Sequence, residues 1–210
     1  MASLFTLLVA AAVMAGTYGC LLETIDANVK TTLQTETQTL DKVQRLEPKI
    51  NKVDDKVMEI DLRTRVIRTL QFIDVSKFAV SDRYQEKLYL ISKDEVDFEL
   101  EREDKACVAQ GGYLLELDDE AEKSFTLDFA KKIGGSTQIA MGGNDVQTEG
   151  TWIYHHSKKP VPSSLQWING EPNNYPPGED CMAFKMSEDG LNDFACGKVA
   201  RFICEVPLFA

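Results

Sequence analysis

The sequence predicts an α+β domain over residues 76–210, preceded by a helical coiled-coil stalk over residues 20–75. Three observations carry this. Apolar residues recur on two seven-residue combs between positions 22 and 70. Two helical patterns, and then many short apolar pieces split by Gly, Pro and Asn, occupy the second part. Four of the five cysteines also fall there, and all of the net charge of −11 lies beyond residue 80.

The charge excludes one class of function at once. Thirty-four acidic side chains oppose 23 basic ones, whereas a nucleic-acid binder carries an excess of Lys and Arg. Hydrophobic residues make up 43%, too many for a disordered chain. Residues 1–80 hold ten basic and ten acidic groups, so the acidity belongs to the second part alone.

At the N-terminus, Leu4 to Ala15 is an uninterrupted run without charge, ending in small residues at Ala15, Gly16 and Gly19. As a helix it would span roughly 18 Å, short of the ~30 Å hydrocarbon core. It reads as a secretory signal peptide over residues 1–19, against the alternative of an uncleaved anchor. No later stretch is long and apolar enough for a bilayer, so the expectation is a secreted, extracellular protein with no membrane insertion. Five cysteines in an exported chain point to disulfides. Cys20 lies just past the signal and is a candidate for an interchain bridge.

The heptads follow. Val43, Ile50 and Val57 form one comb, and Leu46, Val53, Ile60 and Ile67 the other, as in the a/d seam of a coiled coil. Leu22, Ile25 and Val29 extend it backwards, while Glu36, Thr32 and Thr39 weaken its middle. Pro48 removes a backbone donor and is expected to kink or interrupt the helix. Ile at two d positions favours a trimer or higher homo-oligomer. The other reading is an amphipathic helix packed on its own domain. Leu62, Val66, Leu70 and Ile73 form a second stripe expected to dock on the following domain.

In the acidic part, Tyr84–Ile91 reads as a strand and Lys93–Ala109 as a helix ending at Gly111-Gly112. Asp118–Ile133 reads as a second helix capped by Asp118 or Asp119. Gln138–Met141, Thr151–His155, Met182–Met186 and Arg201–Val206 read as short strands. Between residues 171 and 193, Glu171, Glu179, Asp180, Glu188, Asp189 and Asp193 gather with Asn173, Asn174 and Asn192 against one Lys. Side-chain oxygens on an irregular, Pro-rich loop suit a hard cation taking six to eight oxygens, so Ca²⁺ fits better than Zn²⁺. A solvated acidic loop is the competing reading.

Several motifs resemble the C-type lectin-like domain over roughly Tyr84 to Pro207. They are Cys107-x3-Gly-Gly-x-Leu, Glu149-Gly-Thr-Trp152, Trp167, Glu171-Pro-Asn173, Glu179-Asp-Cys181, Asn192-Asp193, Cys196 and Phe202-Ile-Cys204-Glu205. Leu191 stands where the family usually has Trp, and Ala140-Met-Gly-Gly143 replaces its Trp-Ile-Gly-Leu. The resemblance implies two helices, short antiparallel strands and a long irregular calcium-binding loop, with disulfides Cys107–Cys204 and Cys181–Cys196. It implies a principal, sugar-binding calcium site of Glu171, Asn173, Glu179, Asn192 and Asp193, with a cis bond before Pro172. It implies an auxiliary site of Asp145, Glu149, Asn174, Glu179 and Asp180, weakened by Asn174 where the family often has Asp.

The implied function is non-enzymatic: calcium-dependent binding of mannose-type sugars (mannose, N-acetylglucosamine, glucose, fucose). Its partners would be glycans or glycoproteins, including microbial surface sugars, in immune recognition or agglutination. Family members with Gln-Pro-Asp favour galactose instead. A domain of this fold that binds a protein or surface ligand is the alternative. A glycosidase is disfavoured, because carboxylates engaged by Ca²⁺ are poor general acids. His155 and His156 are adjacent, which suits joint ligation poorly in a strand. Trp152, Trp167 and Phe202 read as core, and Tyr175, beside the calcium ligands, reads equally as a contact to a sugar ring or as exposed loop packing.

Overall fold

A computed structural model describes residues 2–208, with side chains from residue 14 onward. The run read as an export signal therefore lies largely outside the described side chains. The chain divides into two units, residues 1–59 and 60–210.

The first helix, α1 (Ala2–Leu70), supplies all of the first unit, where every described side chain is exposed. The helix runs through Pro48, where an interruption was expected. A single missing donor in a solvated stretch leaves a carbonyl that water can satisfy, so the helix tolerates it. Threonine hydroxyls along it, such as Thr24 and Thr31, donate back to carbonyls one turn earlier. Among the described residues, no helix is long and apolar enough to cross a membrane.

In the second unit, the last turns of α1 turn part of their second stripe inward, while Leu70 stays exposed. Leu62 and Val66 pack against a core cluster, and Ile73 lies buried within it. Arg65 donates to the Leu208 carbonyl at 3.0 Å, fastening the helix to the chain's end.

The domain is built on strands β1 (Phe78–Val80), β2 (Lys87–Ser92), β3 (Val96–Asp97), β4 (Tyr113–Leu114), β5 (Gln138–Asn144), β6 (Ile153–Tyr154), β7 (Cys181–Lys185), β8 (Gly190–Phe194) and β9 (Val199–Pro207). Helices α2 (Leu100–Val108) and α3 (Glu120–Ile133) precede β4 and β5. The sheet runs β1-β2-β9-β5-β7-β8, antiparallel except for β5 beside β9. This is the expected α+β class, with the C-type lectin-like arrangement of two helices and short strands.

The expected helix over Lys93–Ala109 is corrected at its start. Val96 and Asp97 pair with β9, Phe98 is buried, and the helix begins only after Glu99. Tertiary burial of Phe98 and strand pairing override an acidic stretch with helical character. The second helix takes one of its two expected N-caps. Asp119 accepts from the Glu122 N–H at 2.8 Å, and Gly134 ends the helix at φ 60°.

Both implied disulfides are formed. Cys107–Cys204 joins α2 to β9 with Cα atoms 5.5 Å apart, and Cys181–Cys196 holds the start of β7 to the turn after β8. Among the described residues Cys20 is free and exposed. The family departures leave the core closed. Leu191 is fully buried against Trp167, and Trp152 and Trp167 pack 4.8 Å apart beside the same cluster. Gly143 leaves room for Met182, whose sulfur would lie 2.7 Å from a Cβ at that position.

Candidate functional site

The long segment between β6 and β7 carries Glu171, Asn173, Asn174, Glu179 and Asp180, and β8 carries Asn192 and Asp193. Two features fix this segment. The Ile168 N–H donates to the Leu191 carbonyl at 3.0 Å and the Glu171 N–H to the Ile168 carbonyl at 2.9 Å, laying Glu171 beside β8. Peptide bonds Glu171-Pro172 and Pro176-Pro177 are cis, the first as the resemblance implies.

Asn174 is the hub. Its backbone N–H donates to Asp193 Oδ2 at 2.7 Å, its side-chain amide donates to Glu149, and its Oδ1 accepts from the Glu179 N–H at 2.8 Å. It adopts φ 45°, in the left-handed region that Asn tolerates better than most residues. The Tyr175 N–H donates to Glu179 Oε2 at 3.2 Å. Around the second group, the Asp145 N–H donates to the Asp180 carbonyl at 3.1 Å, and Asp145 Oδ2 accepts from the Gly150 N–H at 2.7 Å.

The structure thus brings Glu171, Glu179 and Asp193 together, and brings Asp145, Glu149, Asn174 and Asp180 together. Asn192 is buried with its amide donating to the Asp193 carbonyl, and Asn173 is exposed on the loop. Asn174 Oδ1 is engaged by the Glu179 N–H.

Three carboxylate oxygens stand out. Glu171 Oε2, Asp193 Oδ1 and Asp145 Oδ1 are buried, yet no donor reaches them. Buried anionic oxygens without a donor are costly unless a cation satisfies them. Burial, then the neighbouring carboxylate of Asp193, pushes the Glu171 pKa above its ordinary value. Burial and Asp193 likewise raise Glu179, although the Tyr175 N–H opposes them. Burial, with Asp180 and Asp193, raises Asp145 against the pull of the Gly150 N–H. Glu149 is raised too, by desolvation and then by Asp145, Asp180 and Asp193.

Among the described residues, no three His, Cys, Asp or Glu side chains alone form a metal-binding set. Glu171, Glu179 and Asp193 are neighbours but do not by themselves converge as a metal-binding set, so the amide oxygens of Asn173 and Asn192 would have to complete it.

Lys185 is the neighbour the sequence did not mark. Its charge lowers the pKa of Glu171 and Glu179, while Glu188 holds its ammonium at 2.6 Å. Its position on β7, across from Gly190 of β8, became visible only with the strand register. His155 and His156 do not form a joint site. The first pairs with Glu101 at 3.3 Å and the second with Asp104 at 3.2 Å, both on α2.

A disulfide-stapled α+β domain thus sets an oxygen-rich loop against β8. The chain belongs to the C-type lectin family, matching the Lectin C-type domain over residues 99–206. It is similar to Collectin-11 of Bos taurus, 30% identical over 164 residues that cover 77% of this chain and 56% of that one. The chain spans about half the length of such curated relatives. Among solved structures, the mouse scavenger receptor C-type lectin carbohydrate-recognition domain is 24% identical with a TM-score of 0.53, covering 60% of this chain and 94% of that one. The trimeric structure of the Kupffer cell C-type lectin receptor Clec4f is 21% identical with a TM-score of 0.54, covering 72% and 94%. These two likenesses concern the fold alone.

Proposed function

We propose that this protein is a secreted, calcium-dependent lectin for mannose-type sugars, made multivalent by its helical stalk. The observation that carries the reading is the pair of buried, donorless oxygens on Glu171 and Asp193 beside the Glu171-Pro-Asn173 segment.

Glu171, Asn173, Glu179, Asn192 and Asp193 would hold Ca²⁺, whose oxygen preference matches their carboxylates and amides. When bound, the ion supplies an anchor for two neighbouring sugar hydroxyls. The carboxylates of Glu171 and Glu179 would accept hydrogen bonds from those hydroxyls, and the amides of Asn173 and Asn192 would donate hydrogen bonds to them. The acid–Pro–amide order suits equatorial 3- and 4-hydroxyls. The auxiliary group of Asp145, Glu149, Asn174, Glu179 and Asp180 would take a second, weaker ion.

A glycan array with and without chelator tests this. Mannose-type glycans are expected to bind above galactose in calcium, with the signal lost in excess chelator. Binding should also fade in mild acid. The raised pKa values of Glu171, Glu179 and Asp145 mean that protons compete for these oxygens from above the ordinary carboxylate range. Mannose binding undiminished in chelator would refute the reading.

The stalk supplies avidity, since one shallow site binds weakly. The a and d side chains from Leu22 to Val57 are exposed on the single helix, as partners in a bundle would require. The full chain is expected to sediment as a trimer or higher species and residues 60–210 as a monomer. Cys20→Ser should remove any covalent linkage seen on non-reducing gels. An oligomeric 60–210 fragment would remove the stalk from the explanation.

A further inference from the structure

A second cluster of buried charge lies well away in sequence from the calcium loop. Lys87 on β2 reaches Asp118 at 2.8 Å, Glu122 at 2.8 Å and Glu205 at 2.9 Å. One ammonium thus serves three carboxylates. Asp118 is exposed to water, whereas Glu122 and Glu205 are buried.

The two buried acids differ in how they are satisfied. Glu122 Oε1 accepts from Lys87 and the Tyr89 hydroxyl, and its Oε2 accepts from the Asp118 N–H. Glu205 Oε1 accepts from Lys87 and, at 2.9 Å, from the Tyr113 hydroxyl, but no donor reaches its Oε2. Tyr89 and Tyr113 lie opposite Glu205 on the strands either side of it, β2 and β4. Glu116 adds negative charge near Tyr113. Glu86, Glu116, Asp118 and Lys159 line, with Glu205, an open cavity of about 450 Å³. That cavity gives solvent protons a route.

A buried anionic oxygen without a donor costs more than the neutral carboxyl in its place. Asp118 can be solvated and Glu122 is fully bonded, so any proton the cluster takes up belongs on Glu205. We propose that Glu205 is a proton-binding site built into the seam of β2, β4 and β9, neutral in mild acid and charged in mild alkali, and that it makes the fold more stable at the acid end. Burial supports this by pushing the Glu205 carboxyl up to about 7, with Lys87 and the Tyr113 hydroxyl opposing and Glu122 adding to it. Burial also works against the charge on Lys87, but Asp118, Glu122 and Glu205 outweigh it and hold its pKa above the ordinary value. The lysine therefore stays charged and cannot relieve the cluster by losing its own proton.

The sign follows from linkage. A carboxyl raised in the folded state binds a proton that the unfolded chain has released, so this contribution falls as pH rises from about 4.5 to about 7. One proton changes the folding constant by at most about tenfold per pH unit.

The test compares denaturant unfolding of the full chain with that of Glu205→Gln, from pH 5 to 8.5 in excess chelator. The calcium-site carboxylates are common to both proteins and cancel in the difference. The two should have similar folding constants near pH 5, and the wild type should lose about tenfold or more relative to the variant by pH 8. Parallel pH profiles would overturn the proposal. Should the variant not fold, carbon-13 NMR titration of the wild-type Glu205 carboxyl decides. A midpoint near 7 supports the proposal, and one in the ordinary glutamate range overturns it. Neither measurement uses sugar or calcium, so failure of the lectin reading leaves this result standing.

Discussion

Replacing Cys107 and Cys204 together by alanine is expected to destabilise the domain by about 4 to 5 kcal/mol. The bridge spans a sequence separation of 97 residues, and closing a loop of that length removes about 4.7 kcal/mol of chain entropy from the unfolded state. Both cysteines are fully buried, so alanine avoids leaving a hydroxyl without a partner, at the cost of a small void. Domains of this size hold about 5–15 kcal/mol in total, so the loss takes most of the margin. The Cys181–Cys196 pair spans only 15 residues, and its removal should cost nearer 3 kcal/mol. Urea unfolding of both double variants against the parent, under oxidising conditions, measures the difference. A smaller loss from the long bridge than from the short one would contradict the loop-entropy account.

The short bridge still matters locally. It ties the start of β7 to the turn after β8, the hairpin that carries Asn192 and Asp193. Its removal should therefore weaken calcium binding more than the long bridge's removal does in protein that remains folded.

The site was legible in the sequence because its oxygens are concentrated. Glu171 to Asp193 spans 23 positions, so the carboxylates and amides of the candidate site stand out in composition alone, whether or not they hold an ion. Secondary structure was legible where one periodicity dominates, as in α3 with its Asp119 cap. It failed over residues 93–99, where acidic residues hid the burial of Phe98 and the pairing of Val96 with Ala200. Strands β1, β4 and β8 were missed because each is short or polar and exists only through its partner. The Lys87–Glu122–Glu205 cluster was invisible for the same reason. Positions 87, 122 and 205 meet only through the β2–β9 register and the packing of α3, which no local pattern encodes. One trace was present: Glu205 interrupts the apolar run from Phe202 to Val206.

If the proposed site holds, Asp193→Asn is expected to weaken calcium-dependent sugar binding, raising the calcium it needs roughly ten- to hundredfold, while leaving the calcium-free fold intact or more stable. Asp193 is fully buried, and its Oδ2 accepts the Asn174 N–H that holds the loop against β8. The amide oxygen of asparagine can keep that bond, so the loop should retain its path. The negative charge is what disappears. Without calcium, Asp193 raises the pKa of Glu171 and Glu179, after burial itself, so its charge opposes theirs. Neutralising it relieves that repulsion, and calcium-free stability above the usual carboxylate range should hold or rise. If calcium binds as proposed, the balance would reverse, because the ion would lose a charged ligand. Charge-assisted contacts are worth about 1.5–3 kcal/mol, and each 1.4 kcal/mol is tenfold, so calcium affinity should fall roughly ten- to hundredfold. Calorimetric titration of Ca²⁺, beside thermal unfolding in chelator, reads both effects on one protein. A variant that is destabilised in chelator by as much as in calcium would make Asp193 a structural residue. One that binds calcium and mannose like the parent would remove it from the site.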